Sequence, residues 1–137
     1  MKPRYLLDTN ICIYVRKRRP SAVAEKFGTL APGEAAISAI IYGELLYGAY
    51  KSATPARALR VIEEFVALVP ALPLPEEAGA AYGEIRAALE RQGRMIGNND
   101  LWIAAHALAS NLVLITNNMR EFARVPGLVA ENWVETA

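Results

Sequence analysis

Asp8, Glu44 and Asp100 are acids in positions that ordinary surface acids do not favour. Asp8 closes "RYLLDTN", where an otherwise apolar run ends. Glu44 lies in "AIIYGELLYGAY", and the residues three and four positions away, Ile40, Ile41, Tyr47 and Gly48, include no Lys or Arg able to pair with it along a helix. Asp100 falls in the first turn of an expected helix, where the backbone dipole favours an ionised carboxylate. Each has an ordinary reading taken alone: a turn or cap residue, an ion pair with another element, a dipole-stabilising acid. A buried, unpartnered carboxylate costs several kcal/mol, roughly, so such a group must be protonated or meet a compensating charge. Several acids converging on a hard divalent cation meet that need. Mg2+, or Mn2+ as a substitute, takes oxygen ligands and keeps several waters, so one or two direct carboxylates suffice. Asp8 and Asp100 are the expected direct ligands, with Glu44 acting through water or orienting the attacking water.

Other chemistries fit poorly. His106 is the only histidine, which excludes a two-histidine mechanism, and in "AAHAL" it reads as a helix-packing residue. "LLDTN" lacks the second aspartate of an aspartyl-phosphate motif, since Asn10 stands there. "YGELLYG" has no Lys followed by Ser or Thr, so it is no phosphate loop. Cys12 is the sole cysteine, which rules out an internal disulfide or a multi-thiolate zinc site and fits a reducing, cytoplasmic setting.

The elements that position these acids alternate between strand-like and helix-like segments, the pattern of an α/β fold with a parallel sheet. "YLL" is apolar on both parities, as in a strand covered on both faces. Helices are expected from Asn10 to Arg16 and from Ser21. The strand "AAIS" leads into a helix capped by Ser38, and Thr54 before Pro55 marks another helix start. "ALVPALPL" breaks that helix and offers an edge strand. A long helix follows Pro75 and stops at Gly93. The next helix is capped by Asn98 or Asn99, with Leu101, Ala104, Ala105 and Leu108 on one face. "LVLIT" is a second strongly apolar strand, a short helix spans about Met119 to Arg124, and "LVAENW" closes the sheet. At 137 residues and 53% hydrophobic the chain is expected to form a single domain over 1–137. Fifteen basic against 14 acidic residues leave no global field, so nucleic-acid binding must rest on local patches. No apolar run suits a signal segment or a membrane span.

"LLDTN", "IYGELLYGA", "IGNNDLWIAAHALASNLVLITNNMREFARVPGL" and "ENW" together resemble the PIN-domain family, in particular its VapC type, the toxin of type II toxin–antitoxin pairs. The likeness spans nearly the whole chain. It implies a PIN-like fold with a small central parallel sheet of about four or five strands flanked by helices. It also implies Mg2+-dependent cleavage of RNA, structured RNA such as tRNA above all, with inhibition of translation. Asp8, Glu44 and Asp100 fall on three of the family's acids. The fourth position, often acidic, lies in "TNNMREF", where this chain carries Asn117 and Asn118. The position stays open among Asn117, Asn118 and Glu121, with Asn118 a candidate to hold a water or the phosphate and Glu121 the reserve acid, read otherwise as a surface residue.

Substrate contact is assigned to Thr9, Asn10, Thr116 and Asn117 beside the acids and to Arg16 and Arg18 in "RKRR". Arg86, Arg91 and Arg94 form a second basic group, and Tyr14, Tyr42 or Trp102 are candidates to stack on bases. The resemblance further implies a VapB-type antitoxin bound over the N-terminal helices, DNA contact only through that antitoxin, and a homodimer that grows to a heterotetramer or larger with it. The apolar, tyrosine-rich helix from Tyr42 to Tyr50 is the expected self-association face. The alternative function is a catalytically weak binding module serving mainly as antitoxin partner.

Overall fold

The computed structural model describes residues 2–134. Five strands form one sheet in the order β3-β2-β1-β4-β5, every neighbouring pair parallel. They are β1 (Tyr5–Leu7), β2 (Ala35–Ser38), β3 (Ala71–Leu72), β4 (Val113–Ile115) and β5 (Ala130–Glu131). Parallel strands need crossovers that cover both faces, which is why "YLL" and "AAIS" are apolar at successive positions and buried throughout. β1 lies at the centre, with β2 on one side and β4 on the other. The order of the chain through the sheet reverses there, and crevices open beyond the carboxyl ends of strands at such a point.

Seven helices are described: α1 (Thr9–Lys17), α2 (Ser21–Gly28), α3 (Ala39–Lys51), α4 (Pro55–Leu68), α5 (Glu77–Gln92), α6 (Asn98–Ala109) and α7 (Met119–Phe122). α1 begins one residue earlier than expected because the Asp8 side chain caps it, accepting from the Thr9 N–H at 2.8 Å. Ser38 caps α3 as predicted, its Oγ accepting from the Ile41 N–H at 3.1 Å. Gly93, with φ at 66°, ends α5 in the left-handed region, and the N–H groups of Gly93 and Arg94 satisfy the carbonyls of Glu90 and Leu89.

α6 departs from the expectation in two ways. Its N-cap is Gly97, so Asn98 and Asn99 are helical and their side chains are free for other partners. It is also buried nearly all round: Leu101, Ile103 and Ala104 to Ala107 are inaccessible, and a one-face reading is too narrow. The reason is packing, since α6 lies against α5, α3 and β4 at once. His106 is part of this interior, 1% exposed with Nδ1 unpartnered, and burial pulls its imidazole below the ordinary range. It is a packing residue, as its sequence setting implied.

α3 depends on Ser38 for its start, and Ser38 is fully buried. Ser38→Ala is expected to lower stability by about 1 kcal/mol, or about 4 °C in Tm, by thermal denaturation.

Candidate active site

Asp8 stands at the carboxyl end of β1, where its N–H still donates to the Ile115 carbonyl of β4 at 2.9 Å. Its side chain serves two neighbours. One oxygen caps α1, and the other accepts from the Thr116 hydroxyl at 2.8 Å. Thr116 is fully buried just beyond β4, and its Oγ1 also accepts from the Asn118 N–H at 3.0 Å. Burial raises the Asp8 carboxyl above its ordinary range, the bonds from Thr116 and Thr9 oppose the rise, and the nearby Glu44 charge adds to it.

Glu44 projects from α3 and is held at both oxygens. The Thr9 hydroxyl of α1 donates to Oε2, and the Asn99 amide of α6 donates to Oε1 at 3.0 Å. Asn99 is a site residue that sequence reasoning missed, because asparagine before a helix reads as a cap. Asp100 enters from the first turn of α6. Burial, then contact with Glu121, then the charges of Asp8 and Glu44 push its carboxyl up to about 7. Glu121, in α7, is therefore no surface residue: it is half-buried and within hydrogen-bonding reach of Asp100.

Of the three candidates for the fourth position, Glu121 is the one in contact with Asp100. Asn118 reaches the site, but its amide donates to Glu121 Oε2 at 3.2 Å, so it orients an acid and does not replace one. Asn117 is exposed and donates to the Tyr14 hydroxyl at 3.2 Å. Asn10 is exposed on α1. Arg16 joins Thr9 and Glu44 in lining a cleft of about 380 Å3 and also borders the neighbouring groove of about 580 Å3, which Arg18, capping the far end of α1, lines without reaching the cleft. Cys12 is buried behind Asp8, and burial together with that charge pushes its thiol far up, which leaves it unreactive.

Neutral donors, not cations, hold these acids. The ion pairs among the described residues, Arg4 with Glu34 and Arg86 with Glu90, involve none of them. No three carboxylates among the described residues crowd one point closely enough to enclose an ion alone. The arrangement expected from the sequence, Asp8 and Asp100 as direct ligands with Glu44 acting through water, asks for no more than two direct carboxylates. That donor set fits Mg2+, which retains waters.

A parallel five-stranded sheet with acids gathered beyond its central strands defines a class, and the comparisons give the same class. The PIN domain profile matches residues 5–128. Ribonuclease VapC2 of Haemophilus influenzae is 47% identical over 131 residues, 96% of this chain and 98% of that protein. A tRNA(fMet)-specific endonuclease VapC of Shigella flexneri is also 47% identical, over 95% of this chain and 98% of its own length. Among solved structures, VapBC-1 from nontypeable Haemophilus influenzae superposes with a TM-score of 0.89 at 44% identity, covering 96% of this chain and 98% of that one. VapBC2 from Rickettsia felis, bound to a DNA fragment from its promoter, gives 0.86 at 40% identity over 94% and 98%. The chain belongs to the PIN-domain family, within its VapC type.

The raised Asp100 carboxyl makes metal-free stability depend on pH. Its folded carboxyl holds a proton up to about 7 while the unfolded one releases it near 3.8, so folding takes up a proton between those values. Its contribution to stability is present below about pH 3.8 and is lost as pH rises toward 7. Asp100→Asn is expected to raise metal-free stability at pH 8 by on the order of 1 kcal/mol, discounted for the group's partial exposure. Denaturant melts of both proteins from pH 4 to 8 with chelator should converge at the acid end. Parallel curves across that range would remove the crowding argument.

Proposed function

We propose that the protein is a metal-dependent endoribonuclease, the toxin half of a toxin–antitoxin pair. The observation that carries this reading is the gathering of Asp8, Glu44, Asp100 and Glu121 without a positively charged partner. Such an arrangement is electrostatically unfavourable by itself and becomes favourable around a divalent cation. The relatives' names, ribonuclease and tRNA(fMet)-specific endonuclease, support the same substrate class. Structured RNA such as tRNA is the proposed target, and its cleavage would stop translation.

Asp8 and Asp100 would hold Mg2+ or Mn2+. The bound ion supplies charge neutralisation at the phosphoryl oxygen and a water acidified enough to attack. Thr116 and the N–H of Thr9 fix the Asp8 carboxylate in one orientation, so no rearrangement is required when the phosphate arrives. Glu44, fixed at both oxygens, presents a static acceptor that aligns the attacking water. Glu121, within hydrogen-bonding reach of Asp100, is placed to accept or return a proton near the leaving oxygen. Arg16, on the rim of the cleft beside Glu44, meets the backbone phosphate.

Inhibition is assigned to a larger groove. Val15, Arg18, Phe27, Val61, Phe65 and Leu68 line a depression of about 580 Å3 between α1, α2 and α4. Val61 and Leu68 are 41% and 51% exposed there, as suits an apolar segment of an antitoxin. The VapBC complexes bound to DNA support contact with DNA through that partner, since this chain carries a formal net charge of only +1. Tyr47 and Tyr50, each 66% exposed on α3, form the proposed homodimer face. No helix among the described residues is long and apolar enough to cross a membrane, and the proposed tRNA substrate would be met in the cytoplasm.

Purified protein with Mg2+ or Mn2+ is expected to cut total cellular RNA, and chelator should stop it. Asp8→Asn and Asp100→Asn should each lose about two orders of magnitude or more in rate, since several kcal/mol of charge stabilisation is removed. Undiminished cutting by either variant, with end mapping showing the same products, would refute the assignment. Val61→Asp with Leu68→Asp should weaken antitoxin binding at least about tenfold, as expected when apolar anchors are charged, with RNA cleavage retained.

A further inference from the structure

Trp102, one of the sequence candidates for base stacking, is half of an aromatic pair at the N-terminal end of α6. Tyr82 of α5 and Trp102 of α6 stack with ring centroids 3.8 Å apart and planes 11° from parallel. Both are only half-buried, although the α6 residues on either side of Trp102 are inaccessible. The Tyr82 hydroxyl donates to Asn98 Oδ1 and accepts from Arg86 Nη1 at 2.7 Å, so the ring cannot turn. Side chains of a helix lean toward its N-terminus, which lays Trp102 over the turn made by Asn98, Asn99 and Asp100. Asn98 and Trp102 lie two positions to either side of Asp100. The ring pair and the carboxylate therefore flank opposite sides of the same helix end.

The geometry points to a nucleobase subsite: the Tyr82–Trp102 stack receives an unpaired base of the RNA. This deepens the ribonuclease reading and rests on it. The acid cluster repels a polyanion, and the near-zero net charge supplies no compensating field. Substrate affinity must come from contacts that do not depend on the global charge, and base stacking on a fixed aromatic surface is such a contact. A strand crossing the N-terminal end of α6 touches the stack on one side and the carboxylates on the other. The enzyme would then require an unpaired nucleotide beside the bond it cuts, because a base inside a duplex has no free face to offer.

The test uses full-length protein with Trp133→Phe, which leaves Trp102 as the only tryptophan, in the presence of chelator. A short unstructured oligoribonucleotide should quench Trp102 emission saturably, and an oligomer of the same length without bases should not. With metal restored, Trp102→Leu should raise KM for RNA roughly tenfold or more while kcat and the Mg2+ requirement stay within about twofold, and Trp102→Phe should recover most of the loss. Emission unchanged by the oligonucleotide would overturn the subsite. So would a fall in kcat at constant KM, which marks a helix-packing role, or conversion of a dimer to monomer by Trp102→Leu, which marks a protein interface. Base-dependent quenching in a protein that cleaves no RNA would sustain the subsite and sink the nuclease reading. Cleavage without quenching would do the reverse.

Discussion

Mutual repulsion among carboxylates brought together by the fold is the constraint on which the site depends. Asp8, Glu44, Asp100 and Glu121 come from the end of β1, from α3, from α6 and from α7, so they meet only in the folded state. Folding must carry their desolvation and their like charge, and the rise of Asp100 to about 7 registers that cost. A chain that tolerates such a concentration has spent stability at a place where it needs charge.

The sheet order explains how the acids meet. β1 is central, β2 and β4 flank it, and all three run the same way. Their carboxyl ends therefore open on one edge, where Asp8 follows β1, Ser38 turns β2 into the helix bearing Glu44, and Thr116 follows β4. The apolar interior holds these three ends in register: Leu6, Leu7, Ala36, Ile37, Leu114 and Ile115 are fully buried. A shift of one strand by a single residue would turn Asp8 or Thr116 toward the opposite face.

Asp8 and Glu44 were legible in the sequence because each broke a local rule, an acid closing an apolar strand and an acid on a helix without a basic neighbour, whereas Asp100 obeys the first-turn preference and was legible only from the joint order of the three and the family motif. Strand and helix order was legible because parallel strands and amphipathic helices leave strong periodic signals. Glu121 broke no local rule. A Glu on a four-residue helix looks like a surface residue until α7 is placed against α6, and the family pattern directed attention to Asn117 and Asn118 instead. Asn99 was hidden for a similar reason, since its partner Glu44 lies 55 residues away and cap propensity offered a sufficient explanation. The register of α6 by one residue, set by Gly97, decided what Asn98 and Asn99 do. Boundaries of that kind depend on tertiary contacts that periodicity does not encode.

The choice of neutral donors follows from the same constraint. Lysine or arginine would have fixed Asp8 and Glu44 more tightly, since charge-assisted bonds are the stronger ones. Each such pair would also have cancelled a negative charge inside the pocket. Thr9, Thr116 and Asn99 orient the carboxylates through hydroxyl and amide dipoles and leave their charge intact. The carboxylates stay aligned but unneutralised, which keeps the driving force for capturing a cation. The same retained charge opposes the approach of RNA. A pocket built this way works on a polyanion only when a cation sits in it or when contacts outside it carry the substrate in, and Arg16 in the cleft beside Glu44, with the aromatic stack at the N-terminal end of α6, answers that second requirement.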